Sequence, residues 1–350
     1  MNVYITADHA GISTGGGVVT KREYEVFSSR GESLLLDRSK ISPSFFGEPD
    51  TTSGFDYIAD AMVLQLMSSG VKHAHFYAGM FSKTVDRLKR AGSTVTYTVA
   101  AHDPIVSREE FESLGLKYDF PYVTNQMLWA SYIEGQLQSD LVICPSHASA
   151  NLVRRFGCLR VTVIPHGVNL PESIPALPNE FNVGYLGQAG PDKGLRYLFS
   201  AWKLLQLPSS KLIMAGRDSS LMHEFYLRFG GGLVELKGFV EKTSDLYKAI
   251  SCYVQPSATE GFGIEVLEAM AHGRPAIVSD GAGVADVITD GVDGFVVPKR
   301  DVNAIADRIL TLKNDPVKLQ EMSLKAIETA QKYTWPKIQA MYTEAWNGIK

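Results

Sequence analysis

Ala258-Thr-Glu-Gly-Phe-Gly-Ile-Glu-Val-Leu-Glu-Ala-Met-Ala-His-Gly-Arg-Pro275 follows the apolar run Cys252-Tyr-Val-Gln255. That run reads as a buried strand, and the segment after it reads as a loop and a helix. Gly261 and Gly263 let the backbone come close to a bound group. The helix starts near Ile264 and stops at Gly273, with Pro275 just beyond, which is ordinary helix-stop chemistry. Free N–H groups at such a helix start make an anion site at the carboxyl end of a strand, where open α/β sheets bind their ligands. Glu260 stands before the helix and Glu268 sits about one turn inside it. Carboxylates accept hydrogen bonds from hydroxyls, so two of them flanking a phosphate site suit a sugar and a ribose. A strand-loop-helix carrying two solvated glutamates is the alternative that these residues leave open.

The same alternation of short β-rich runs with helical patterns extends over all 350 residues. Strands are expected at 3–6, 34–37, 75–77, 95–100, 141–144 and 161–164 in the first half, and at 183–186, 212–215, 234–237, 253–255, 276–279 and 295–297 in the second. Leu141-Val-Ile-Cys144 and Lys211-Leu-Ile-Met-Ala215 are apolar on both faces, as strands covered by helices on both sides must be. The repetition predicts an α/β fold with parallel sheets and right-handed crossovers. Two sets of six strands predict two Rossmann-like domains. Asn169-Leu-Pro-Glu-Ser-Ile-Pro-Ala-Leu-Pro178 carries three prolines and cannot be a helix interior or central strand. The expected organisation is a first domain over 1–170, a linker over 171–180 and a second domain over 181–335. Thr334-Trp-Pro336 opens a last helix with proline in its first turn.

Composition narrows the classes. Hydrophobic residues make up 45% and charged residues 21%, ordinary for a globular chain, and the net charge of −4 gives no reason to expect nucleic acid. Three cysteines, Cys144, Cys158 and Cys252, have no metal-ligand spacing and are expected as buried free thiols. The N-terminus lacks a signal-peptide pattern, and no run reaches the roughly 18 apolar residues of a membrane span. A cytoplasmic location is expected, with peripheral membrane contact left open. Residues 81–90 place Phe81, Val85 and Leu88 on one side of a helix and Lys83, Arg87 and Arg90 on another. That helix could approach an anionic membrane, or pack on its own sheet with a solvated basic face.

The 258–275 segment resembles the E-x7-E signature of retaining GT-B glycosyltransferases in its family-4 form, including the trailing E-A-M-A-x-G-x-P. Three further segments resemble that family in the right order. Gly15-Gly16-Gly17 follow the first strand, Val163-Ile-Pro-His-Gly-Val-Asn169 matches the turn before the linker, and Gly187-Gln-Ala-Gly-Pro-Asp-Lys-Gly194 matches its G-R-x-x-x-x-K-G loop. The resemblance implies a GT-B fold, two Rossmann-like domains with parallel sheets facing a central cleft, and a C-terminal helix, about 336–350, returning to the first domain. It implies a hexose transfer from a nucleotide-diphosphate sugar to a glycan, lipid-linked or small-molecule acceptor. Anomeric configuration would be retained, with no metal and no cofactor beyond the donor itself.

Site roles follow from the resemblance residue by residue. Glu260 and His102, the latter at the end of Tyr97-Thr-Val-Ala-Ala-His102, would contact the donor sugar. Lys193 would neutralise the diphosphate as its charge grows. Gly15, Gly16, Gly17, Gly261, Phe262, Gly263 and Ile264 would present backbone to the sugar and phosphates, and Glu268 would hold the ribose. Gly238 and Phe239 would flank the base. Gln188 stands where the family has arginine, bringing donors but no charge. Arg217 is either the replacement for that charge or a surface arginine. On the acceptor side stand His9 and Asp103, although Asp-Pro is also an ordinary turn starter. His166 is expected to be structural. Two other classes are weighed. A non-catalytic sugar-nucleotide-binding protein is prompted by Gln188. An NAD-dependent oxidoreductase is prompted by Gly15, Gly17 and Asp37, but Thr20 replaces the third glycine of that fingerprint.

Overall fold

Each apolar run becomes a strand of a wholly parallel sheet, because helices cover both faces and only the strand edges are left to pair. The computed structural model describes residues 1–6, 15–36, 70–77, 81–99, 103–116, 133–217 and 219–349. The chain divides into two units: Met1–Ala101 with Asp119–Pro165 and Ile338–Lys350, and His102–Tyr118 with His166–Lys337. The fold is the α/β, GT-B architecture.

In the first unit, β1 (Asn2–Thr6), β2 (Ser33–Leu36), β3 (His73–Tyr77), β4 (Thr94–Thr98), β5 (Leu141–Cys144) and β6 (Val161–Val163) are ordered β2-β1-β3-β4-β5-β6. The helices described here include α1 (Gly15–Ser28), α2 (Ser82–Arg90) and α4 (His147–Arg155). Gly15, Gly16 and Gly17 form the first turn of α1. Phe81, Val85 and Leu88 enter the core with Val3, Ile5, Phe76 and Val95. On α2, Lys89 pairs with Asp140 at 2.6 Å and Arg90 with Asp86 at 3.0 Å. All three cysteines of the chain are free and buried. Among the described residues no helix is long and apolar enough to cross a membrane.

A polar chain runs through the first unit's interior, and its donor directions can be assigned from one end. Arg30 can only donate, so His73 Nδ1 accepts from it at 2.8 Å. Burial first, with the neighbouring Arg30 charge, pulls His73 down to about 3, so its ring is neutral and Nε2–H donates to Thr96 Oγ1 at 2.9 Å. The Thr96 hydroxyl then donates to His75 Nδ1 at 2.7 Å, and His75 Nε2–H donates to Glu23 at 3.1 Å. Glu23 also accepts from the hydroxyls of Tyr4 at 2.8 Å and Tyr342 at 2.5 Å. Burial and the Glu23 charge push both phenols upward, so they stay protonated donors. Tyr342 and Trp346 lie on the last helix, numbered α11 in chain order (Trp335–Asn347), whose residues from Ile338 onward belong to this unit. The Trp346 ring meets Phe27 edge-on at 5.4 Å.

In the second unit, β7 (Val183–Leu186), β8 (Leu212–Ala215), β9 (Val234–Gly238), β10 (Cys252–Gln255), β11 (Ala276–Ser279) and β12 (Gly294–Val297) are ordered β12-β11-β10-β7-β8-β9. Around them lie α5 (Leu195–Leu205), α6 (Ser219–Phe229), α7 (Thr243–Ala249), α8 (Ile264–Ala271), α9 (Val302–Asn314) and α10 (Pro316–Ala330). The proline-rich stretch 169–178 forms no helix or strand. It is held by Arg274, a fully buried side chain whose Nη2 donates to Ala176 O at 2.8 Å and Pro175 O at 3.3 Å.

The unit boundary departs from the expected one at 102–118. Helix α3 (Pro104–Ser113) lies with the second unit although it follows β4. Leu114, just past the helix, enters the second unit's apolar core, and Glu110 pairs with Arg196 at 2.8 Å and Arg300 at 2.6 Å.

Candidate active site

β7 and β10 are adjacent, yet the chain leaves them toward opposite edges of the sheet, so a crevice opens at their carboxyl ends. The two loops that meet there are 187–194 after β7 and 256–263 after β10. They touch so closely that a Cβ on Gly194 would lie 2.0 Å from Pro256 O, and Gly194 also has φ +70°. The Ala258 N–H donates to Asp192 O at 2.8 Å. A third segment, after β11, clamps the second loop. The Glu260 N–H donates to Gly281 O at 2.9 Å, and the N–H groups of Gly283 and Val284 donate to Glu260 O at 3.0 Å and Phe262 O at 2.8 Å. Phe262 buries its ring, 2% exposed, against the edge of His166 at 5.1 Å, which gives His166 a packing role.

This clamping brings together two residues 67 positions apart. Lys193 Nζ lies 2.5 Å from Glu260 Oε2, with 22% and 20% of the side chains exposed. Burial works against the Lys193 ammonium, but the charges of Glu260 and Asp192 and the bond to Glu260 outweigh it, so the net shift is upward. Just beyond, α8 begins at Gly263, whose φ of 99° and ψ of 68° are left-handed, and no side chain caps the helix there. A helix start of this kind attracts anions. Ile264, the first residue of α8, is 9% exposed. One turn in, Glu268 accepts from the Tyr247 hydroxyl at 2.9 Å. Burial raises the Glu268 carboxyl, and that bond partly offsets the rise. Tyr247 is itself fixed by Arg274, whose Nε donates to its carbonyl at 2.6 Å, and its ring stacks at a tilt on His272 at 4.9 Å.

Glu265 is a third carboxyl that the motif reading passed over. Burial first, then the Glu260 and Glu268 charges, push it up to about 7, against its own backbone N–H and Lys193. Its ordinary value is 4.5, so the folded state keeps a proton that the unfolded chain releases. The resulting stability is fully present below about pH 4.5 and lost as pH rises through about 7. Glu265→Gln is therefore expected to flatten the decline in stability between pH 5 and 8, on the order of 2 kcal/mol at most for this partly open side chain. Urea midpoints at the two ends of that range measure it, and an unchanged slope would remove the assignment.

Other site residues are more dispersed. Gln188 is exposed, and its carbonyl accepts from the Tyr185 hydroxyl at 3.0 Å. Arg217 lies over the Phe239 ring at 5.7 Å, and Phe239 is 57% exposed after Gly238, whose φ is +66°. This pair caps the carboxyl ends of β8 and β9. Asp103 caps α3, accepting from Ile105 N–H at 2.9 Å, while its own N–H donates to Thr259 Oγ1 at 2.8 Å. Its side chain thus has a local structural task. His9 and His102 lie outside the described residues, as does Asp37. Among the described residues, no three His, Cys, Asp or Glu side chains converge as a metal site.

Residues 23–172 match glycosyltransferase family 4, and residues 180–315 match glycosyl transferases group 1, together most of the chain. An uncharacterized glycosyltransferase of Methanocaldococcus jannaschii is 26% identical over 293 residues, 81% of this chain and 78% of that one. The phosphatidyl-myo-inositol mannosyltransferase of Mycobacterium leprae is 30% identical over 202 residues, 53% of each chain. Among solved structures, sucrose-phosphate synthase from Thermosynechococcus elongatus superposes with a TM-score of 0.79 at 19% identity, covering 99% of this chain and 98% of that one. HepE of Anabaena, solved with UDP-glucose, gives 0.75 at 20% identity, covering 99% and 100%. Two parallel six-stranded α/β units give the GT-B fold. The chain belongs to the group 1 glycosyltransferases, and the oxidoreductase alternative falls with that membership.

Proposed function

We propose that this enzyme is a retaining, metal-independent hexosyltransferase that binds a nucleotide-diphosphate sugar on its second unit and a glycan, lipid-linked or small-molecule acceptor on its first. The observation that carries the reading is the Lys193–Glu260 pair at 2.5 Å, placed before the amino end of α8 with Glu268 one turn further on. In this scheme the bond between the anomeric carbon and the diphosphate oxygen breaks, and its electron pair goes to the leaving phosphate. Lys193 and the α8 start stabilise that growing charge. Glu260 accepts from a sugar hydroxyl and Glu268 from the ribose. The acceptor oxygen bonds to the same face of the sugar, and its proton passes to the leaving oxygen. The Arg217–Phe239 pair supports a base subsite at β8 and β9.

UDP-, GDP- and ADP-glucose, each with EDTA present, form the test panel, with UDP-glucose first because HepE was solved with it. A ligand at about 100 times its dissociation constant stabilises by about 2.7 kcal/mol, so one member should raise the melting temperature by several degrees. Release of free sugar with its anomeric configuration kept, followed by NMR, is the expected chemistry. No shift with any member would sink the reading, and binding without turnover on any acceptor would favour a sugar-nucleotide-binding scaffold.

A further inference from the structure

Helix α3 touches neither Lys193 nor Glu260 in any bond described above, yet it is fastened to both loops that carry them. At its amino end, the Asp103 N–H donates to Thr259 Oγ1, on the residue immediately before Glu260. At its other end Glu110, 1% exposed, accepts from Arg196 Nη2 at 2.8 Å. Arg196 sits three residues after Lys193, in the first turn of α5. The same helix receives Arg196 Nη1 on Ser113 Oγ at 2.8 Å. Arg300 donates from Nε to Glu110 at 2.6 Å and from Nη2 to Glu109 at 2.9 Å. Arg300 takes φ +69°, a left-handed conformation that a non-glycine residue keeps only when its surroundings hold it. The Tyr197 hydroxyl lies 3.1 Å from Glu110, inside the same cluster.

Glu110 and Arg196 are the buried members, 1% and 17% exposed, while Arg300 and Glu109 reach out to solvent, and such a cluster adds little net stability compared with apolar packing. What such a cluster does supply is a single permitted arrangement, because any shift leaves a desolvated charge without its partner. The amino-end anchor is the neutral bond at Thr259, and just past the other end Leu114 packs into the second unit's core. Bonds at Thr259 and Glu110 bracket the Lys193–Glu260 pair, one behind each partner.

We infer that α3 is a brace for the Lys193–Glu260 pair, with Thr259 and Glu110 as its positioning residues. Thr259 fixes the loop behind Glu260, and Glu110 fixes, through Arg196, the start of α5 behind Lys193. The inference rests on the proposed catalytic reading of that pair, and the experiment separates the two. It uses the full chain, UDP for binding, UDP-glucose hydrolysis without acceptor for turnover, and the variants Thr259→Val, Thr259→Ser and Glu110→Gln.

Thr259→Val should bind UDP within about twofold of wild type while kcat falls about tenfold or more, since a small misplacement of reacting groups is costly. Thr259→Ser, which keeps the acceptor oxygen, should restore kcat. Glu110→Gln should lower kcat in the same way. In hydrogen exchange, the amides of 103–116 and 190–197 should exchange about threefold faster in Thr259→Val and Glu110→Gln, with 141–155 unchanged. Wild-type exchange over 103–116 in both variants overturns the brace, and so does faster exchange there with wild-type kcat. If UDP-glucose fails, the same measurements use whichever of GDP- and ADP-glucose binds; if none of the three binds, the catalytic reading falls and the exchange result alone decides the brace.

Discussion

Lys193→Ala is expected to lower turnover of the nucleotide sugar by about two to three orders of magnitude while the chain stays folded. Lys193 is the cation bonded to Glu260 beside the α8 start. Its upward shift keeps it charged at neutral pH. No neutral group can replace that charge as the leaving diphosphate develops, and Gln188, where the family has arginine, brings none. Only about a fifth of each partner is open to water, so the variant leaves a largely buried carboxylate without its cation and should also lower the melting temperature. The check is kcat from nucleotide release together with the melting temperature. A kcat close to wild type would show that Lys193 does not carry the charge stabilisation.

Glu23→Ala is expected to cost the first unit about 3–5 kcal/mol, the range for breaking a buried ionic or multiply bonded group. The loss exceeds that of any one contact because three donors converge on this carboxylate: the Tyr4 and Tyr342 hydroxyls and His75 Nε2. Alanine leaves all three buried without an acceptor, and it also removes the end toward which the Arg30–His73–Thr96–His75 chain is oriented. Tyr342→Phe should cost only about 1 to 2 kcal/mol, since it removes one donor and leaves Glu23 two others. Urea unfolding followed by calorimetry and by hydrogen exchange over the first unit measures both. A loss below about 1 kcal/mol for Glu23→Ala would mean that water replaces the tyrosines without penalty.

The strands were legible because a run such as Leu141–Cys144 or Leu212–Ala215 is apolar on both faces, and only a helix-covered parallel sheet makes use of that. The α8 start was legible for a related reason: Gly263 and Gly273 mark local backbone requirements that composition announces. Lys193 and Glu260 were legible as members of two motifs, though not as an ion pair. Glu110, Arg274 and Glu23 were not legible. Their partners lie 86 residues away in Arg196, 98 in Ala176 and 319 in Tyr342, and a charged or polar residue inside a helix pattern reads as solvated until its distant partner is known. Asp103 carried two readings in the sequence, an acceptor-side residue and a turn starter, and the second is the one with a visible structural counterpart. The Asp-Pro signal was local, and it announces the helix cap that the Asp103 side chain makes.

The passage of α3 from the sequence of one half into the body of the other bears on how such enzymes can be recombined. The two family segments meet between residues 172 and 180, which invites exchange of whole donor halves between relatives at that seam. A swap there would transplant Arg196 and Arg300 but leave Glu109 and Glu110 behind with the recipient. Two guanidinium groups would then arrive at a surface whose counterions belong to another lineage. For this chain, compatibility of halves is therefore partly a matter of matched ion pairs on one short helix, and a functional chimera would have to carry residues 103–116 along with the half they serve.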